Sequence, residues 1–217
     1  TPLARIRVAL DIASEGDAET VRESLRDIAD DLDELEQLIA DVLTAARLDL
    51  VDPAREGGIP PLRRQRLSLD TLLAEAVDRF RATHADRPVT LSLADDLPAV
   101  DGDRALLRRV FTNLLDKAHK YSDVPASEIA IAADRDDDGS VITVSDSGIG
   151  IDADDLARIF EPFYRADKSR TRATGGQGLG LALVRRIVDA HGGTITIDSN
   201  LGEGTRVRVC LPPADQG

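Results

Sequence analysis

Between Val141 and Gly193 the residue types and their spacing are those that a polyphosphate nucleotide requires. The alternating run VITVSD reads as a buried strand that ends in a carboxylate, Asp146, able to accept a hydrogen bond from an exocyclic amine. Gly148 and Gly150 follow, and the lack of a side chain at each lets the backbone approach a flat ring. A long polar stretch carrying FEPFYRADKSR leads to GGQGLGLALVRRIVDAHGG. This last run reads as a helix whose first turn, after Gly176, offers N–H groups to phosphate oxygens. ATP is the ligand this set of residues leads one to expect. Gly176, Gly178 and Gly180 fit neither the G-x-G-x-x-G dinucleotide fingerprint nor the G-x-x-x-x-G-K-[ST] phosphate loop.

These residues have to be held by a chain of 217 residues, enough for one large domain or two small ones. Aromatic residues are only 3% of it, so Leu, Ile, Val and Ala must fill the core. A net charge of −13 argues against nucleic acid, and against an anionic membrane surface, as the main partner. The one cysteine, Cys210, excludes a disulfide framework and fits a reducing, cytoplasmic setting. No apolar run approaches the ~18 residues of a membrane span, so any membrane attachment is expected through segments absent from this sequence. The start at Thr1-Pro2-Leu3, with no Met, reads as a piece cut from a longer protein.

Residues 1–50 are expected to form a helical hairpin. Leu3, Ile6, Leu10 and Ala13 mark a first helix stopped by Gly16, and Asp17 is placed to cap a second. Val21, Leu25, Ile28, Leu32, Leu35, Ile39, Val42 and Ala46 then repeat with 4-3 spacing, a coiled-coil seam. Two helices alone cannot bury such a seam, so the hairpin is expected to dimerise into a four-helix bundle. Asp and Glu number 13 against 5 Arg in residues 1–50, a net −8 read as a solvated outer face. Residues 51–66, with three prolines and two glycines, read as a linker.

Residues 67–213 mix strands and helices without a regular βαβ repeat, and 214–217 read as a tail. The expected elements are a short strand at Leu67–Leu69, a helix capped by Asp70 and running to about Thr83, and a strand at Val89–Leu93. A loop (DDLPAVDGD) and a helix over Arg104–Lys120 follow, the helix with Leu106, Val110, Leu114 and Ala118 on one face. Strands at Glu128–Ala133 and Ser140–Asp146, and a hairpin of Thr194–Ile197 with Arg206–Leu211, complete the set. The fold class is therefore α+β: a helical hairpin, then an α/β sandwich of one sheet covered on one face by about three helices.

Five boxes, NLLDKAHKYS, DSGIGI, FEPFYR, GGQGLGLALV and GEGT, occur in an order that resembles the catalytic ATP-binding domain of bacterial sensor histidine kinases, within the GHKL ATPases. The ending DVLTAARLDL gives residues 1–50 a resemblance to the dimerisation and phosphotransfer hairpin of the same family. The resemblance implies ATP and Mg²⁺ as cofactors, a homodimer formed through residues 1–50, and a response-regulator receiver domain as partner. It implies that Asp146 binds the adenine amino group, with Gly148 and Gly150 shaping the base pocket. Asn113 would hold the metal–phosphate group, Lys120 would contact phosphate, and Tyr121 would line the nucleotide. Arg165 and Arg170 would sit in a lid, Asp152–Gln177, whose length suits that role. Gly176, Gly178, Leu179 and Gly180 would form the phosphate-side turn, and Gln177 would reach the metal.

Two positions depart from that pattern. The family motif H-E-x-x-T-P-L is present only from Thr1, so the phosphoacceptor histidine is expected just upstream of these residues. Autophosphorylation at that site is then not expected of this chain. Thr1 corresponds to the residue that positions water in the phosphatase reaction. His84, His119 and His191 are read as structural. The second departure is Lys117, which stands where the asparagine box has its second metal-side Asn. An ammonium about 4 Å from Mg²⁺ is repelled by on the order of 8 kcal/mol at an effective dielectric of ~20. Impaired Mg²⁺-ATP turnover is therefore expected. The alternative is a pseudokinase-like module that dimerises and docks a regulator, with weak or metal-independent nucleotide binding.

Overall fold

The computed structural model describes residues 2–49, 62–122, 127–165 and 178–214. The chain divides into two compact units, residues 1–46 and 47–217.

In the first unit, α1 (Pro2–Glu15) and α2 (Ala18–Asp49) are separated at Gly16 and Asp17. A side chain at Gly16 would collide with Thr20, its Cβ lying 2.7 Å from Thr20 Cγ2. Asp17 caps α2 as expected, accepting from the Thr20 N–H at 2.9 Å and its hydroxyl at 2.8 Å. Arg5 on α1 pairs with Asp31 on α2. The seam is left open: Leu25, Leu32, Ile39 and Val42 are all exposed, Leu32 at 49% and Ile39 at 56%.

The second unit has a five-stranded sheet of order β2-β4-β5-β7-β6. Its strands are β2 (Val89–Leu93), β4 (Ile129–Asp136), β5 (Gly139–Asp146), β6 (Thr194–Asn200) and β7 (Gly204–Leu211). β2 and β4 are parallel and the other neighbours antiparallel. Alternate residues share a face, which puts Ile129, Ile131, Ala133, Ile142, Val144, Val207, Val209 and Leu211 in the core. Helices α3 (Leu69–Thr83), α4 (Arg104–Lys120) and α6 (Gly180–Ala190) supply the rest of it. Their buried sets follow helical spacing, as in Leu107, Val110, Phe111, Leu114, Leu115 and Ala118 of α4. Each large side chain buried in this way contributes about 1.5–3 kcal/mol.

Several details differ from the sequence reading. Ser68 rather than Asp70 caps α3, because its hydroxyl lies one residue ahead of the helix and accepts from the Thr71 N–H. Leu107, not Leu106, is the fully buried residue of that α4 turn. β1 (Gln65–Leu67) begins inside the expected linker, and pairs with β3 (Val100–Gly102), which forms inside the expected loop. Asp103 ends β3 and caps α4, its carboxylate accepting from the N–H groups of Ala105 and Leu106. The buried His191 ties this cap to the far end of α6, since its Nε2 accepts from the Asp103 N–H at 3.0 Å and its Nδ1 faces Ile187 O at 2.7 Å. The two helices that frame the candidate site are thus joined at their opposite ends. Residues 51–61 of the linker lie outside the described residues.

Candidate nucleotide site

β5 delivers Asp146 on the same face as Ile142 and Val144, half-buried at the last position of the strand. Burial holds its carboxyl above the usual carboxylate range, and the N–H groups of Gly148 and Thr205 partly offset this. Thr205 lies directly across the ladder from Asp146 on β7, and the Gly148 N–H donates to Asp146 Oδ1 at 2.8 Å.

The loop after Asp146 is wedged between two other parts of the chain. Ile149 donates its N–H to the Tyr121 carbonyl at 3.0 Å, and accepts from the Gly202 N–H at 2.8 Å. A Cβ on Gly148 would lie 2.3 Å from Tyr121 O, and one on Gly150, where φ is +69°, would lie 1.9 Å from Asn200 O. The room these glycines provide is therefore taken by protein carbonyls. They fix the loop as a wall, a role the sequence reading had given to approach of the ligand ring. The GEGT box does the same from below: a Cβ on Gly204 would lie 2.0 Å from Asp146 O.

At the other end, α4 presents Asn113 and Lys117 one turn apart toward the start of α6. Asn113 Nδ2 donates to Arg109 O at 3.1 Å, which leaves Oδ1 facing α6. A methyl group built on Gly180 would lie 3.4 Å from Asn113 Oδ1 and 3.5 Å from Lys117 Nζ. Lys117 thus points at the first turn of α6, where the helix carries no side-chain cap. Such a turn attracts anions. The Nζ atoms of Lys117 and Lys120 lie 6.0 and 5.9 Å from the centre of the Tyr121 ring. Burial raises the pKa of the Tyr121 hydroxyl, and the charge of Arg165 lowers it, so Arg165 belongs to the same neighbourhood.

Gly178, with φ +75°, lets the phosphate-side turn pack against the FEPFYR segment. Phe163 donates its N–H to Gly178 O at 3.1 Å, and a Cβ on Gly178 would come 2.7 Å from Tyr164 O. Phe163 itself has φ +64°. The described part of the expected lid contains a short helix, α5 (Ala153–Leu156), absent from the sequence reading. The Tyr164 hydroxyl donates to Asp155 at 2.5 Å, Arg158 stacks 4.2 Å over the Tyr164 ring, and Arg185 of α6 lies 5.3 Å over Phe160.

Asp146, Gly148, Gly150 and Tyr121 are therefore brought together, and so are Asn113, Lys117, Gly178, Leu179 and Gly180. Thr1, Arg170, Gly176 and Gln177 lie outside the described residues. Sequence reasoning missed Thr205 as the neighbour of Asp146, although the GEGT box pointed to it. It also missed Arg87, which no local pattern marks. Among the described residues no group of three or more His, Cys, Asp or Glu is placed to hold a metal ion. The set at α6 fits anionic phosphate oxygens. It does not fit Mg²⁺, because an ammonium shares the space that Asn113 Oδ1 faces.

A mixed sheet with a half-buried carboxylate at a strand end, and a glycine-led helix with no side-chain cap, are the parts of a nucleotide-binding domain, which here follows a helical hairpin in sequence. The family model described as "Histidine kinase-, DNA gyrase B-, and HSP90-like ATPase" matches residues 102–215, and that of the "His Kinase A (phospho-acceptor) domain" matches residues 1–50. The chain belongs to the sensor histidine kinases of this ATPase family. It is 34% identical over 203 residues to the sensor-like histidine kinase SenX3 of Mycobacterium tuberculosis, covering 93% of this chain and 47% of that one. It is 31% identical over 195 residues to the sensor protein SrrB of Staphylococcus aureus, covering 88% and 32%. The chain thus spans about half or less of the curated relatives it matches. Among solved structures, full-length ShkA in complex with AMPPNP matches with a TM-score of 0.71 at 27% identity, covering 97% of this chain and 42% of that one. The Acinetobacter baumannii histidine kinase AdeS shares the fold with a TM-score of 0.71 at 24% identity, covering 99% and 96%.

Proposed function

We propose that this chain binds ATP with adenine against Asp146 and the phosphates at the start of α6. It would serve as the kinase core of a two-component sensor. The observation that carries this is the placement of a half-buried Asp146 at the end of β5 together with Asn113 and Lys117, which the C-terminal half of α4 directs at Gly180 in the first turn of α6. ATP supplies the γ-phosphoryl group, and transfer of such a group depends on positioning and charge neutralisation. Asp146 orients the base, Tyr121 walls it, and Lys117 and Lys120 neutralise phosphate. Arg165 is the lid cation of the proposed reaction. Arg170, Gly176 and Gln177 keep the roles the family resemblance gives them. The acceptor is a histidine outside these 217 residues, since residues 1–50 contain none, and the phosphoryl group passes on to an aspartate of a response-regulator receiver domain. Thr1 is proposed to take part in the reverse, phosphatase reaction. The open seam of α2 supports a homodimer through residues 1–50. No helix among the described residues is long and apolar enough to cross a membrane, and we place this part of the protein on the cytoplasmic side.

The position of Lys117 favours the second reading, a module with weakened, metal-independent nucleotide binding. Titration of ATP with and without Mg²⁺ tests both. Binding that needs Asp146 but not the metal is the expected result, and binding that needs the metal as well would return Lys117 to a passive role. Absence of nucleotide binding, including after Lys117→Asn, would overturn the kinase-core reading.

A further inference from the structure

Arg87 lies between α3 and β2 and is only 7% exposed. A buried guanidinium is tolerated when its fork of donors is satisfied, and among the described residues it meets five acceptors. Nε donates to His119 Nδ1 at 3.1 Å, and Nη1 to Ser127 O at 3.1 Å and Ser127 Oγ at 2.8 Å. Nη2 donates to His119 O at 3.4 Å and Ser122 O at 3.2 Å. These partners stand 32 to 40 residues away in sequence. Two of the carbonyls, those of His119 and Ser122, flank Tyr121 at the end of α4, where helix carbonyls have no partners within the helix and a cation is favoured.

We propose that Arg87 is a positioning residue for the nucleotide pocket: by clamping the main chain on both sides of Tyr121, it sets the carbonyl against which the Asp146–Gly150 loop is built. This rests on the assignment of Asp146 to adenine made above. The path is short. Arg87 holds residues 119 and 122, the Tyr121 carbonyl accepts from Ile149, and Gly148, passing that carbonyl too closely for any side chain, donates to Asp146 Oδ1. A displaced Tyr121 carbonyl would therefore move the wall of the pocket and the carboxylate together. Lysine cannot replace the clamp, because one ammonium does not span acceptors on two sides of a residue as a planar fork does.

The clamp also requires that His119 Nδ1 carry no proton. The groups facing His119 reinforce that state. Arg87 is in contact with it, the His84 ring lies 4.1 Å away, and Phe80 packs edge-on at 5.9 Å. Asp116, within electrostatic reach of His84, Arg79 and Lys117, completes the charged surroundings. Burial, with His84 and Arg87 beside it, lowers the pKa of His119 below its ordinary value of 6.5. Protonation in acid then withdraws one acceptor and adds a like charge beside the guanidinium.

The test is calorimetric titration of a non-hydrolysable ATP analogue into the whole chain, with cooperative melting recorded for each variant. Arg87→Lys is expected to bind on the order of tenfold more weakly, the worth of one or two charge-assisted hydrogen bonds, at temperatures well below its melting transition. Affinity of the unaltered chain is expected to fall as pH drops below 6.5, and His119→Asn, which keeps an acceptor but cannot titrate, is expected to flatten that fall. A well-folded Arg87→Lys with unaltered affinity would overturn the proposal. Should Arg87→Lys fail to fold, an acid profile unchanged in His119→Asn would overturn it instead. Weak binding by Asp146→Asn together with normal binding by Arg87→Lys sinks the clamp alone, whereas normal binding by Asp146→Asn sinks the nucleotide assignment beneath it.

Discussion

The hairpin and the sandwich bury different things. In residues 2–49 the buried side chains include Ser24, Asp31 and Asp41, with Ala9 the one buried hydrophobic residue beyond Pro2. In the sandwich a continuous set from Leu67 to Leu211 is buried, and its polar exceptions, Arg87, Ser122, His191 and Ser199 among them, hold loops and caps in place. The sandwich can fold on its own interior. The hairpin leaves its apolar seam exposed, which is the feature that supports the proposed homodimer.

The largest effect is expected where that contrast is sharpest. Leu32→Asp with Ile39→Asp would put two charges into the seam at several kcal/mol each, abolishing the dimer in sedimentation analysis while the sandwich melts unchanged. Loss of the sandwich transition as well would mean the two regions share a core. Next, Asp146→Asn is expected to weaken ATP binding by about 10- to 100-fold and leave the dimer intact.

Stability should respond to that change in the opposite sense. A carboxyl whose folded pKa is raised binds its proton more tightly when folded, so folding loses stability as pH rises above the ordinary value of 3.8. Asp146→Asn should therefore melt at a slightly higher temperature at neutral pH, and a lower one would contradict the pocket as a site of stored desolvation. Gly148→Ala, with its Cβ 2.3 Å from Tyr121 O, should cost about 1–3 kcal/mol in chemical denaturation. Lys117→Asn should introduce a metal dependence of about tenfold into ATP binding.

The smallest effect concerns His191. Burial lowers its pKa, so the unfolded chain binds the proton more readily, and stability is lost as pH falls below 6.5. A melting temperature that does not drop over that interval, or a drop that His191→Gln leaves unchanged, would rule this out.

Much of this was legible in sequence because the signals were local. The 4-3 spacing of α2, the capping Asp17, and the alternation that ends at Asp146 are each read within a few residues. The misses came where a local cue had a competitor one step away. Ser68 and Asp70 can both cap a helix, and backbone geometry chose Ser68. β3 escaped notice because Val100–Gly102 forms a strand only by pairing with Gln65–Leu67, more than thirty residues earlier. Gly148 and Gly150 were recognised as necessary, but the atoms that make them so, Tyr121 O and Asn200 O, belong to other elements. Arg87 is the extreme case, since an arginine in a polar loop looks like solvent until its distant acceptors are placed.

The central claim is that Asp146 accepts from the 6-amino group of adenine, and the most direct measurement compares ATP with ITP, which carries a carbonyl there. The account predicts that the unaltered chain prefers ATP by about 10- to 100-fold and that Asp146→Asn largely erases the preference. Equal affinity for the two nucleotides, or a preference that survives in Asp146→Asn, would contradict it.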